Sequence, residues 1–195
     1  MRAPTLKTDR LTLRPLTVRD ADALVTTIFD DPDIGWRYGL VCDCSTPERQ
    51  RATALDWIED ANAHWDPHGW GAWAIRIRDR ELGEAGRLIG FCGFFTADDP
   101  VPDHELAYGV AKDQWGKGVA TEAARASLRY IFTEVSVERV ETVAHPTVNL
   151  GSSRVLEKAG FELLGQIDYL GSVAAGHGLF NHFGVDRDIW LGRNK

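Results

Sequence analysis

The sequence predicts an α/β fold, strands interspersed with helices, and three observations predict it. Segments with an apolar residue at every second position recur along the chain, as at Leu11/Leu13, Trp73/Ile75/Ile77 and Leu106/Tyr108/Val110. That period of two belongs to half-buried strands. Between them lie stretches with apolar residues three and four apart, opened by helix-start signals. A glycine-containing turn, Trp115-Gly-Lys-Gly-Val-Ala120, leads from one strand into a helix. The resulting order is β-α-α-β-β-β-α-β-α-β-β, with no repeat or linker, so residues 1–195 read as one domain.

Each element has its own local reason. Arg10–Arg14 alternates and forms the first strand; Thr17-Val-Arg-Asp20 has capping-box form and opens a helix to about Phe29. Asp30 to Cys44 reads as a loop. Ser45-Thr-Pro-Glu48 starts a second helix, with Pro47 in its first turn, running to about His64. Trp73–Ile77 and Leu88–Phe95 are the second and third strands, joined through Gly83 and Gly86. The acidic stretch 98–103 is a loop, and the fourth strand runs to Val110. Ala120, Ala124, Leu128 and Ile131 mark one face of the next helix, and Val137–His145 is the fifth strand. A short helix carrying Val155, Leu156 and Ala159 stops at Gly160, as a glycine just past a helix end should. Phe161–Tyr169 and Phe183–Leu191 supply the last strands.

Composition narrows the function. Twenty-two basic against 29 acidic residues give a net charge of −7 with no basic block, which disfavours a nucleic-acid surface and favours cationic small molecules or peptides. No stretch approaches the ~18 apolar residues needed to span a bilayer, so no membrane partner is expected. Three cysteines do not make a disulfide framework, and the expected location is cytoplasmic. Cys42-Asp-Cys44 lacks a partner cluster, so no metal is expected, and His177 and His182 read as part of a glycine-rich surface loop.

The glycine turn suggests phosphate chemistry. It aims several backbone N–H groups at one spot, at the positive end of a helix dipole. A P-loop is excluded because Ala111 stands where its first glycine belongs and Gly118, not Ser or Thr, follows Lys117. A dinucleotide fingerprint beginning at Gly116 fails at Thr121.

Trp115-x-x-Gly118-x-Ala120 instead resembles the pyrophosphate loop, Gln/Arg-x-x-Gly-x-Gly/Ala, of the GCN5-related N-acetyltransferases (GNAT). Trp115 departs from the first position of that pattern. Thr8-Asp-Arg-Leu-Thr-Leu-Arg-Pro-Leu16, Trp115–Ala123 and Asn149–Phe161 are similar, in order and spacing, to the branch holding the Rim-type ribosomal-protein N-acetyltransferases.

The resemblance implies a mixed, mostly antiparallel sheet with helices on both faces, splayed between the fourth and fifth strands, with acetyl-CoA lying in the gap as donor. Tyr108, Gly109 and Val110 would pair with its pantetheine arm, the Val110 N–H facing the thioester oxygen. One such donor is typically worth ~3–4 kcal/mol of barrier. Gly116, Lys117, Gly118, Val119, Ala120 and Thr121 would hold the pyrophosphate, with Asn149 and Ser152 as further cofactor contacts. Many relatives carry a tyrosine seven residues after that asparagine as the acid; Leu156 stands there, which leaves Ser152, or solvent, to protonate the thiolate.

The acceptor amine needs a base. Near pH 7, deprotonation costs ~1.4 kcal/mol for an α-amino group and ~4.6 kcal/mol for a lysine. Glu105, where relatives place an acidic residue, is the first candidate and His145 the second. Trp36 and Tyr38, in the acceptor loop of this branch, are the substrate-binding candidates through cation–π contact. The acceptor expected is a small-molecule amine or a protein N-terminus, and a homodimer is a further expectation from the family. A non-catalytic acyl-CoA-binding sensor is the alternative, kept open by Leu156.

Overall fold

The computed structural model describes residues 3–31, 46–96, 104–147, 150–169 and 178–194. Its strands are β1 (Leu6–Lys7), β2 (Leu11–Pro15), β3 (Ala72–Ile77), β4 (Leu88–Phe95), β5 (Glu105–Val110), β6 (Arg139–Ala144), β7 (Glu162–Asp168) and β8 (Leu179–Asp186). They form one sheet in the order β1-β2-β3-β4-β5-β6-β8-β7. Leu6–Lys7 precedes the strands read from the sequence, so the fourth and fifth of those are β5 and β6.

The helices are α1 (Ala21–Leu24), α2 (Pro47–Ala63), α3 (Trp65–His68), α4 (Val119–Tyr130), α5 (Leu150–Ala159) and α6 (Arg187–Arg193). Local chemistry sets their starts. Thr46 caps α2 by accepting the Arg49 N–H at 3.3 Å, with Pro47 next to it. At the entry to α1 the Asp20 carboxylate accepts the Thr17 N–H at 2.8 Å and the Thr17 hydroxyl at 2.9 Å. Asp20 is fully buried and also takes the guanidinium groups of Arg14 and Arg76. Both α1 and α4 run on into a wider, π-type turn, Val25–Phe29 and Ile131–Val135.

Two apolar layers sandwich the sheet. On one face Leu16, Leu24, Ile28 and Ile58 pack on Ala72, Ala74 and Phe91. On the other, Val119, Ala123, Leu128, Leu156 and Trp190 pack on Trp73, Ile75, Leu106 and Val140. Alternation along β5 therefore sends Leu106, Tyr108 and Val110 to the α4–α5 face, and Glu105 and Ala107 to the other.

One sequence expectation fails at the C-terminus. Phe183–Leu191 is not a strand: β8 ends at Asp186 and α6 follows. The Arg187 N–H donates to Glu138 O at 2.9 Å, and Trp190 turns inward, its indole N–H on Ala159 O at 2.8 Å. Ile189 stays exposed. The burial of Trp190 decides the segment.

Every strand pair is antiparallel except β5 with β6. Those two run parallel and meet in register at one position, Glu105 opposite Glu141. Beyond it they part toward their C-terminal ends and leave a V.

Candidate active site

The V is lined by main chain. Ala111 N–H donates to Ile89 O at 2.8 Å, so by the alternation of an antiparallel ladder Gly109 and Ala107 also face β4. The backbone groups of Leu106, Tyr108 and Val110 then point the other way, into the V. Two of their carbonyls are held: Leu106 O accepts the Thr142 hydroxyl at 2.9 Å, and Val110 O accepts the Trp115 indole N–H at 2.7 Å. Trp115 thus does a structural job, fixing the end of β5.

At the open end of the V sits the glycine turn. Gly116 and Gly118 both have φ +77°, a left-handed conformation that L side chains resist. Gly118 is the residue before α4, and the first helical bond is Glu122 N–H to Gly118 O at 3.0 Å. The N–H groups of Val119, Ala120 and Thr121 therefore have no partner within their helix. The N-terminal segment braces this turn. Arg10 donates to Lys117 O at 3.0 Å and ion-pairs with Glu122 at 2.6 Å, while the Thr8 hydroxyl meets Glu122 at 2.5 Å. A groove of about 860 Å³ runs from Gly118 and Thr121 past Lys7, Arg125, Arg129 and Lys158.

On the α4–α5 face of the sheet, the Tyr108 phenol lies 2.7 Å from Ser152 Oγ and donates to Ser152 O at 3.1 Å. Leu156, one turn along α5 from Ser152, is buried in the core and offers no proton. On the opposite sheet face Glu105 accepts the Tyr169 hydroxyl at 2.9 Å. Tyr169 packs with Phe180, Val143 and Ile167, and His145 meets Phe180 edge-on at 5.3 Å. Its Nδ1 faces the Thr147 N–H at 3.3 Å.

The sequence matches the acetyltransferase (GNAT) domain family over residues 10–162. The chain belongs to that family. It is 30% identical to the uncharacterized N-acetyltransferase p20 of Bacillus licheniformis, over 85% of this chain and 86% of that one. It is 27% identical to the putative ribosomal N-acetyltransferase YdaF of Bacillus subtilis, over 78% of each. In fold it is similar to the microcin C7 self-immunity acetyltransferase MccE, a structure in complex with acetyl-CoA and AMP, at TM-score 0.71 and 15% identity, covering 92% of this chain and 93% of that one. As a member of the GNAT family the chain is an N-acetyltransferase.

Against that family, the residues singled out in the sequence divide in three. Tyr108, Gly109, Val110, the turn Gly116–Thr121 and Ser152 border the V; Glu105 sits at its vertex and His145 just beyond the end of β6. Asn149, Trp36, Tyr38, Cys42 and Cys44 lie outside the described residues. His182 departs from its loop reading. It lies inside β8, half-buried, with Nε2 2.6 Å from Glu141 Oε2. Neither Glu141 nor its link to His182 is signalled in the sequence, since the pair forms only when β6 and β8 align. Among the described residues no group of three or more His, Cys, Asp or Glu is arranged to hold a metal, and no helix is long and apolar enough to cross a membrane.

Cys92 is the one cysteine among the described residues. Burial pushes its thiol up to about 12, with only Ser127 Oγ at 3.4 Å in partial relief, so it is not a nucleophile.

Proposed function

We propose that the 195-residue chain works as a single N-acetyltransferase domain, transferring the acetyl group of acetyl-CoA to a primary amine by direct attack on the thioester. The observation that carries this is the V itself, closed at Glu105/Glu141 and flanked at its open end by a glycine turn facing outward. A diphosphate suits unpartnered N–H groups at a helix start, and an amide-bearing arm suits the free edge of β5. The residues present fit that donor, and the acetyl-CoA bound to the fold relative supports the same choice.

From the turn the arm runs along β5 toward the vertex. The N–H groups of Tyr108 and Val110 face the V, where one of them meets the thioester oxygen as charge builds on it. Ser152, bonded to the Tyr108 phenol, hands a proton to the departing thiolate. A thiol of pKa ~8.5 needs no stronger acid. Glu105 attracts the ammonium from the opposite face and stands ahead of His145 among the groups singled out in the sequence as its base. Trp36 and Tyr38 are assigned to the acceptor side on family grounds. No covalent acetyl-enzyme forms on this reading, because among the described residues no nucleophile stands in the V with a base beside it. The acceptor is a protein N-terminus or a small-molecule amine, and the setting is cytoplasmic.

Thiol release from acetyl-CoA tests this across two halves of a panel. One half is peptides with free Ala, Ser or Thr N-termini; the other is polyamines, amino acids and aminoglycosides. Release with either half establishes the activity and its acceptor class. Acetyl-CoA binding without release from any acceptor favours the sensor reading, which Leu156 in place of the customary tyrosine supports.

A further inference from the structure

Four charged or titratable side chains form a continuous chain on the acceptor side of the sheet. Asp186 Oδ1 meets Arg139 at 2.6 Å, Arg139 meets Glu141 Oε1 at 2.5 Å, and Glu141 Oε2 meets His182 Nε2 at 2.6 Å. Glu141 is only 8% exposed, and its two oxygens are divided between a guanidinium and an imidazole. Gly184 makes room for this chain. A Cβ there would lie 2.7 Å from the Arg139 guanidinium. The sheet gives up a side chain to let Arg139 cross β8.

The position of the chain is what gives it meaning. Glu141 pairs with Glu105 at the vertex of the V. Alternation puts His182 on the face that carries Phe180 and the Tyr169 that binds Glu105, because Phe183 and Val185 fill the opposite core. His182 Nδ1 has no partner among the described residues, whereas Nε2 is committed to Glu141. An imidazole that donates Nε2–H to a carboxylate presents a bare lone pair at Nδ1, the arrangement of a general base.

We infer that His182, positioned by Glu141 and Arg139, receives the proton that the acceptor ammonium must lose before attack. The inference rests on the transferase reading and deepens it. The first proton passes from nitrogen to His182 Nδ1, directly or through one water, and then to solvent. The neutral amine forms the C–N bond, the C–S bond breaks, and the nitrogen's second proton is balanced by the one delivered to sulfur. One proton is released per turnover. The charged groups on the His182 face are Glu141 and Arg139 from β6, Asp186 from β8 and Glu105 from β5, with the Tyr169 phenol on Glu105 and His145 against Phe180.

His182→Gln separates chemistry from bracing, since its side-chain amide can still donate to Glu141 yet takes no proton. With an acceptor whose amine titrates near ~8, kcat/KM is expected to fall by about 10²–10⁴-fold at pH 7. The deficit should shrink as pH rises above that value, because the amine then arrives neutral. Glu141→Gln should produce a smaller loss with the same pH trend, acetyl-CoA affinity being unchanged in both. A deficit constant from pH 6.5 to 9.5, or none, overturns the role. A second measurement does not need turnover. Imidazole nitrogen shifts in the 15N-labelled protein should show the neutral His182 ring carrying its hydrogen on Nε2, with Nδ1 bare. The opposite tautomer also overturns it. Should the wild type acetylate no amine, the transferase reading falls on that result, and the ring's tautomer decides the His182 arrangement separately.

Discussion

The phenol oxygen of Tyr108 stands 2.7 Å from the hydroxyl of Ser152, tying β5, one arm of the V, to the first turn of α5. A phenol from the strand thus reaches the helix face that Leu156 occupies one turn later. If the two hydroxyls pass a proton as one unit, Tyr108→Phe and Ser152→Ala should each lower kcat about tenfold, and the double variant should be no worse than either. Steady-state kinetics on the four proteins form a double-mutant cycle, and additive losses would mean separate roles.

Gly118→Ala tests the turn. Its φ of +77° is strained for alanine, by about 1–2 kcal/mol, while the nearest atom to a new Cβ is Arg10 Nη2 at 3.5 Å, so no clash is involved. The backbone should relax and turn its N–H groups off target. KM for acetyl-CoA is expected to rise about tenfold with kcat within twofold. A raised kcat-limiting barrier at constant KM would instead place the pyrophosphate elsewhere.

Cys92 should ignore alkylating reagents in the native protein and react on unfolding, because burial holds its thiol at about 12. Mass spectrometry after iodoacetamide at pH 8 checks this site by site. The same spectra, taken during turnover, should show no acetyl adduct on Cys92.

Asp20 offers a stability test with a defined sign. Burial raises its carboxyl pKa, but bonds from Thr17 and the charges of Arg14 and Arg76 outweigh that and leave it lowered. Its contribution is therefore full above the unfolded carboxylate range near ~3.9 and drains away as pH falls through the folded value. Asp20→Asn should cost about 2–4 kcal/mol at pH 7. Urea titrations should show that gap holding to pH 5 and narrowing below pH 4.

The parts of this site that were legible in the sequence share a short range. Gly116, Gly118 and the helix after them announce themselves within six residues, and the period of two in Leu106, Tyr108 and Val110 identifies β5 by itself. Glu105 could be placed for the same reason. The His182–Glu141 contact spans 41 residues and depends on the register of β6 against β8, and the brace from Arg10 to Glu122 spans 112. No local pattern encodes either. The C-terminal helix was missed for a related reason: Phe183 and Val185 alternate like a strand, and only the distant pocket formed by Phe132 and Ala159 draws Trp190 into helical phase.

The single rung between Glu105 and Glu141 also has a consequence for how evolution can alter this protein. On the proposed reading, donor recognition in the V falls mainly to main-chain amides, which every residue but proline supplies, so most side chains along β5 can change without loss of the donor. The acceptor would approach from the other face, past side chains of Glu105, Tyr169 and His182 that belong to three separate segments. Donor choice would thereby be frozen into the backbone, while acceptor choice would be left to a handful of replaceable side chains. One scaffold can change its clientele by point mutation without relearning its fuel.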